Sequence, residues 1–449
     1  MSANQAAVGN VWTNLRRIAV LLAFALICRA GALWKFRDHL RQDPDNYRRI
    51  AEQLVAGGGY SDPDSSQPTA YRPPLYPCLL AGILAAGGTF STIGIVQAGL
   101  GLLTVGLTID VGRRLGLGKA RLAAGLFAAV DPILLHQTAQ VMTETLATSL
   151  ATLWLWLLLG PDSKRWRLLS GIVFGLACLC RPTFWVAGAL CGLAALVRRR
   201  PDSKPSTATT MNQLAPALAS LLGVVLAVTP WVVRNTFVMG QPILTTTHGG
   251  YTLILPHNPE YTKAVVHNDW GAAWQGLSFE NWASSLEEEL ARLDPPLDHT
   301  HHSPQAEVAR DRWLNRQAWA YIQADKATAF KTAATLLGRM WSVKPARTAG
   351  DDRETAIRWA VAAFYVPLFA AALIGLWRIR GTGWRNWKYP LLLVVGYTAV
   401  HALYWADMRM RAPLMPVVAL LAAASLSEKR PRPAADQVSA PSPRGKTGR

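Results

Sequence analysis

The sequence predicts an all-α polytopic membrane protein with about ten or eleven membrane helices. Three observations carry that expectation. Of 449 residues, 51% are hydrophobic and only 16% charged, where a soluble domain carries about 25% charged residues. Apolar runs recur along the chain, each bounded by polar or basic residues. The Lys and Arg residues behind the formal net charge of +18 sit in short groups between those runs, as cytoplasmic flanks of membrane helices do. No basic-aromatic module accompanies the charge, which excludes a nucleic-acid partner. The five cysteines lie in or beside apolar runs, so there is no disulfide framework; Cys178 and Cys180 read as small core residues.

Residues 1–17 form a cytoplasmic N-terminus closed by Arg16 and Arg17. The run Ile18–Trp34 is a retained membrane helix anchored by Trp34 and Lys35. A polar outer loop, 35–72, carries Asp38, Asp43, Asp45, Asp62 and Asp64 and a break at Gly57-Gly58-Gly59. Apolar segments near 74–88, 92–111, 120–137, 140–159, 168–179, 183–197 and 213–233 complete an N-terminal membrane module, 18–233. Residues 234–354 are an extracytoplasmic region. Segments near 356–377, 389–405 and 412–427 form the C-terminal membrane helices of 355–427. The tail 428–449, basic and rich in Pro, Ser and Ala, is disordered, cytoplasmic and drawn to anionic membrane lipid.

The basic loops, counted from both ends, put 35–72 and 234–354 on the non-cytoplasmic side only if one segment between 73 and 137 does not cross. Segment 74–88, short and opening with Pro73-Pro74, is that segment.

Several residues then point to chemistry. In Asp43-Pro44-Asp45-Asn46-Tyr47, two carboxylates stand at the start of a helix with Ile50, Ala51, Leu54 and Val55 on its apolar side. Acids there meet free N–H groups; equally, one is a general base at the membrane surface, and the pair is able to hold a divalent cation. Arg72, before Pro73-Pro74, is rigidly aimed and needs an anionic partner, for which a phosphate serves; the plain alternative is an Arg reaching lipid headgroups. Glu144 lies inside an apolar segment, a functional position by default. Arg181-Pro182 is an anion contact or a packing residue. Pro230-Trp231-x-x-Arg234-Asn235 closes a helix and leads to Gly250-Tyr251 and Asn258, glycines and aromatics that suit a sugar. Asp298-His299-Thr300-His301-His302 reads as a solvated loop, since three close histidines cannot readily surround one ion.

Together these motifs resemble GT-C-type membrane glycosyltransferases, most closely bacterial family 39-like enzymes that use polyprenyl-phosphate sugars. Protein O-mannosyltransferases and lipid A aminoarabinose transferases are similar. The resemblance runs from about residue 16 to residue 427, in the order Asp43-x-Asp45-x-Tyr47, Gly57 to Tyr60, Tyr71-Arg72-Pro73-Pro74-Leu75-Tyr76-Pro77, Thr143-Glu144, Arg181-Pro182, Pro230 to Asn235, Gly250-Tyr251 with Asn258, and Arg409-x-Arg411-x-Pro413.

It implies a GT-C-like bundle in a bacterial inner membrane, with its active site on the extracytoplasmic face. Sugar passes by direct displacement to a protein, lipid or glycan acceptor. Asp43 matches the base position; Pro44 replaces an acid that many relatives carry, so Asp45 shares the candidacy. Arg72 matches the donor-phosphate contact, with Arg181 and Arg234 beside it. Tyr47, Tyr71, Glu144, Tyr251 and Asn258 are the implied substrate contacts. No cofactor is required, and a divalent cation is optional. The competing class is a transporter or flippase of lipid-linked sugars, but the two halves show no internal repeat.

Overall fold

The computed structural model describes residues 3–196, 207–268, 274–298, 300–346, 352–380 and 384–427. The tail expected over 428–449 lies outside them, as do the basic residues Arg198–Arg200. Among the described residues the chain is helical, with one isolated bridge between Ser61 and Pro68 and no strand.

Helix α1 spans Ala3–Lys35 and a 3₁₀ turn follows over Arg37–Arg41. Helix α2, Tyr47–Val55, begins at Asn46, whose φ of 60° is left-handed. That turn lets the Asp43 carboxylate accept the Arg49 N–H at 2.9 Å, satisfying a first-turn donor. The glycine break appears as positive φ at Gly57 (84°) and Gly59 (70°), which end α2 without steric penalty.

Helices α3 (Leu75–Ala85) and α4 (Phe90–Arg114) come next. The eleven residues of α3 rise roughly 16 Å, about half a bilayer core. A Cβ on Gly94, near the start of α4, would stand 3.0 Å from both Leu33 of α1 and Leu40 of the 3₁₀ turn. So α4 starts at the end of the bundle where α1 stops.

Helices α5 (Arg121–Val130) and α6 (Pro132–Gln137) are one apolar run broken at Asp131. The Asp131 carboxylate caps α6 by accepting the N–H groups of Ile133 (2.9 Å) and Leu134 (3.0 Å). Helices α7 (Glu144–Leu158), α8 (Lys164–Cys180), α9 (Phe184–Leu196) and α10 (Thr207–Val238) complete the first half. A cap of helices follows: α11 (Gly249–Ile254), α12 (Pro259–Tyr261), α13 (Leu277–Ala291), α14 (Pro304–Ala324) and α15 (Lys326–Met340). Helices α16 (Asp352–Ile379), α17 (Trp384–Val400) and α18 (Met415–Ser425) close the chain, with a 3₁₀ turn over Met408–Leu414.

Among the described residues four helices are long and apolar enough to span a bilayer, within α1, α4, α10 and α16. Two other apolar runs are shortened by caps and turns: Asp131-Pro132 splits α5 from α6, and the run before α18 is spent on a 3₁₀ turn.

Two packing features hold the helix ends that carry polar residues. A Cβ on Gly171 would lie 1.9 Å from the Ser220 carbonyl, and one on Gly223 2.2 Å from that of Leu168. Glycine therefore lets α8 and α10 touch backbone to backbone. Arg411, fully buried, donates to the carbonyls of Met340 (2.8 Å) and Ser342 (2.6 Å) and lies 4.4 Å over the Tyr365 ring. The Tyr365 hydroxyl donates to Asp131 at 2.9 Å. This chain of contacts ties α6 and α16 to the 3₁₀ turn and fixes the neighbouring Arg409.

Candidate active site

Polar side chains from distant stretches meet at the end of the bundle under the helical cap. Arg72 is at the centre. Its Nε donates to the Asp45 carbonyl at 3.0 Å and its Nη2 to Asp45 Oδ1 at 2.8 Å. Its guanidinium lies between the rings of Tyr71 (5.2 Å) and Tyr47 (5.5 Å), within cation–π range. Nη1 faces His248 Nε2 at 3.2 Å. Arginine only donates, so Nε2 accepts and the imidazole proton sits on Nδ1. That Nδ1 is buried without a partner. Burial, then the Arg72 charge, pushes the His248 pKa well below its usual value, so the ring is neutral at pH 7.

The two aspartates differ. Asp45 is taken up by Arg72, whereas Asp43 has one oxygen on the Arg49 N–H and the other, Oδ1, buried without a partner. Tyr47 packs edge-on against Tyr76 at 5.4 Å, and Tyr76 lies within electrostatic reach of both Asp43 and Glu144. An unpaired buried carboxylate oxygen is costly.

Glu144, 1% exposed at the first turn of α7, forms a second centre. Its Oε1 lies 3.1 Å from Arg181 at the C-cap of α8 and 3.6 Å from Arg409. Arg409 also pairs with Asp407 at 3.2 Å and feels the charge of Asp45. Arg72, Asp45, Arg409, Glu144 and Arg181 thus form a run of alternating charge from the outer loop into the bundle.

A cavity of about 1060 Å³ opens against this run. Ala32, Ile133, Leu135 and Val361 give it apolar walls, and Lys35, Arg339, Lys344, Arg358 and Arg409 line it with positive charge. Its walls come from α1, α6 and α16, and α16 presents Ile357 (61% exposed) and Trp359 to its surroundings.

Residues 71–233 match the family described as dolichyl-phosphate-mannose-protein mannosyltransferase. Among solved structures, the oligosaccharyltransferase AglB from Archaeoglobus fulgidus, in complex with an inhibitory peptide and a dolichol-phosphate, superposes with a TM-score of 0.52 at 13% identity. The alignment covers 93% of this chain and 50% of that one, so the chain spans half of its length. ArnT from Cupriavidus metallidurans bound to undecaprenyl phosphate gives 0.40 at 16% identity over 91% and 77% of the two chains. Its apo form gives 0.39 at 18% over 94% and 78%. A search of curated proteins returns no significant match. The fold is shared with a GT-C-type membrane enzyme, and residues 71–233 carry the similarity to the mannosyltransferase family.

In this chain the cap's acids set the site loops, a role the sequence does not announce. Glu307 of α14 accepts the Thr69 and Thr247 hydroxyls and the Ala70 N–H (2.9 Å). Asp311, one turn on, accepts the Gly250 N–H at 2.6 Å. The loop before Arg72 and the loop bearing His248 are thereby held to one helix and to each other, Thr247 N–H donating to the Ala70 carbonyl at 3.0 Å. Burial pushes both carboxyls up, that of Asp311 to about 6. Gly250 admits no side chain, because a Cβ would lie 2.1 Å from the Asp311 carbonyl.

Two residues expected at the substrate are committed elsewhere. Arg234 donates from Nη1 to the Thr69 carbonyl (2.7 Å) and from Nη2 to that of Tyr60 (2.6 Å), over the Trp231 ring at 5.1 Å. It clamps α10 to the outer loop and is not a member of the Arg72–Glu144 group. Asn258 caps α12 through the Tyr261 N–H, and its amide donates to the Ile254 and Leu255 carbonyls. Tyr251 packs on His248 at 5.4 Å and stays beside the site. Arg234→Met is expected to lower the melting temperature while a donor KM stays within about twofold, since the lost bonds, about 1 kcal/mol each or more, are internal; a tenfold KM rise would return Arg234 to the substrate.

His299 of the histidine tract lies outside the described residues. Asp298 there binds Thr300 and His301. Among the described residues no group of three or more His, Cys, Asp or Glu side chains is placed to hold a metal ion.

Proposed function

We propose that this protein is a glycosyltransferase that moves a sugar from a polyprenyl-phosphate carrier to an acceptor hydroxyl or amine at the extracytoplasmic face of a bacterial inner membrane. The observation that carries the reading is the cavity: apolar walls between membrane helices lead to positive charge, and Arg409 belongs to both the cavity and the alternating-charge run. An isoprenoid chain with a phosphate at its head suits those two properties. The dolichol-phosphate in the AglB complex and the donor named by the matched family agree with it. The basic residues Arg113, Arg114, Lys164, Arg165 and Arg167 gather at the opposite end of the helices, which by the positive-inside pattern supports an outward-facing site.

The step is a single displacement. The acceptor's proton passes to Asp43 Oδ1 as its oxygen or nitrogen bonds to the anomeric carbon. The bond from that carbon to the phosphate oxygen breaks, and its electron pair stays on the phosphate. Arg72 and Arg409 receive the growing charge, in a site poor in water where such donors act most strongly. Tyr47, Tyr71 and the Glu144–Arg181 pair border the sugar. One displacement inverts the anomeric centre.

The test uses the purified chain in lipid nanodiscs and a panel of labelled polyprenyl-phosphate sugars, with a membrane extract supplying protein, lipid and glycan acceptors. Release of free polyprenyl phosphate with at least one donor is expected. If every donor stays intact, and the chain reconstituted in vesicles moves it across the bilayer uncleaved, the protein is a transporter and the reading falls.

A further inference from the structure

We propose that Asp45 is a positioning residue that stands in for the donor phosphate on Arg72, and that the incoming phosphate displaces it. The inference rests on the transfer reading above and goes beyond it by separating the two aspartates. Three features of the geometry support it.

Arg72 keeps its aim without the Asp45 side chain. Its Nε is bonded to the Asp45 backbone carbonyl, Nη1 to His248, and its plane lies between Tyr47 and Tyr71. Only the Nη2 bond to Oδ1 depends on the carboxylate.

The carboxylate itself is free to leave. Its side chain is 25% exposed, against 15% for that of Arg72, and Arg72 is its ion-pair partner among the described residues. Asp43 contrasts with it, pinned by the Arg49 N–H at the start of α2.

The path of the phosphate leads there. Arg409 lines the cavity and lies within electrostatic reach of Asp45. A phosphate drawn to Arg409 repels the Asp45 carboxylate and offers Arg72 a stronger, two-pronged partner. When the lipid phosphate departs, Asp45 recaptures Arg72. The device keeps a half-buried guanidinium paired between turnovers and weakens retention of the product.

The experiment measures binding of a short-chain polyprenyl phosphate without sugar to the full chain in nanodiscs, with inorganic phosphate as a second probe. Asp45→Asn is expected to bind the lipid phosphate about fivefold tighter, the factor by which an internal competitor on a partly exposed pair lowers apparent affinity. Product inhibition of transfer should strengthen by the same factor, a change that a merely structural role would not produce. Asp45→Ser must agree, which guards against a folding artefact of one variant. In an Arg72→Gln background, Asp45→Asn should give no gain. A gain for inorganic phosphate alone, or equal or weaker lipid-phosphate binding in both Asp45 variants, overturns the proposal while wild-type binding leaves the transfer reading standing. If neither wild type nor variant binds lipid phosphate, both fall.

Discussion

Asp43→Asn is expected to lower the transfer rate by a factor of about 10² to 10⁴, the range that a positioned general base contributes, with lipid-phosphate binding unchanged. The substitution is a clean test because of how Asp43 is held. One oxygen accepts the Arg49 N–H at 2.9 Å, and asparagine keeps a carbonyl for that bond. The other oxygen, buried and without a partner, becomes an amide that cannot take a proton. The fold is therefore retained while the proposed base is removed. Asp43→Ala, by contrast, also loses the bond to the first turn of α2 and should cost about 1 kcal/mol of stability. The measurements are initial rates of polyprenyl phosphate release and a thermal melt of each variant. Activity within a few-fold of wild type in Asp43→Asn would remove Asp43 from the base role and pass it to Asp45, which then could not be the displaceable partner of Arg72.

The sequence made some of this legible and hid the rest for physical reasons. Asp43, Asn46 and the apolar face of α2 are local signals, readable because helix starts have a fixed chemistry. Arg72 is readable because Pro73 and Pro74 stiffen the chain beside it. Glu144 is conspicuous because an acid in an apolar run needs a reason. The short α3 could be inferred from charge parity and segment length alone. What sequence could not show is partnership across long stretches of chain. Arg234 reads like an anion contact, yet its donors end on the backbone carbonyls of Tyr60 and Thr69. Carbonyls are invisible to a reading of side chains. Asn258 sits beside Tyr251 in the motif but spends its amide on a helix cap. Glu307 and Asp311 lie on a polar helix whose pattern resembles a solvated face, and burial under the cap gives them their role. Arg409 enters the resemblance only as part of a motif; its place between Glu144 and the cavity emerges from the fold of the last 3₁₀ turn.

Arg72→Lys should lower transfer by roughly 10² to 10³, the cost of losing one preorganised donor to a developing anion, and do so although the charge is kept. In wild type the guanidinium plane is set by three hydrogen-bonding directions and two aromatic faces, Tyr47 and Tyr71. An ammonium has no plane to stack, cannot hold the Asp45 carbonyl and His248 in the same orientation, and offers a phosphate a point charge in place of two parallel donors. The loop itself stays in place, because Glu307 holds Thr69 and Ala70, and the Thr246 hydroxyl donates to the Tyr71 carbonyl. Loss of rate should therefore come with little change in melting temperature. In the proposed step Arg72 contacts the phosphate both before and during bond breaking, so part of the loss is expected on donor KM and the larger part on kcat. A variant with wild-type kcat and KM would place the departing phosphate elsewhere, on Arg409 and the positive wall of the cavity. A variant in which KM alone rises would make Arg72 a docking contact with no share in stabilising the leaving group.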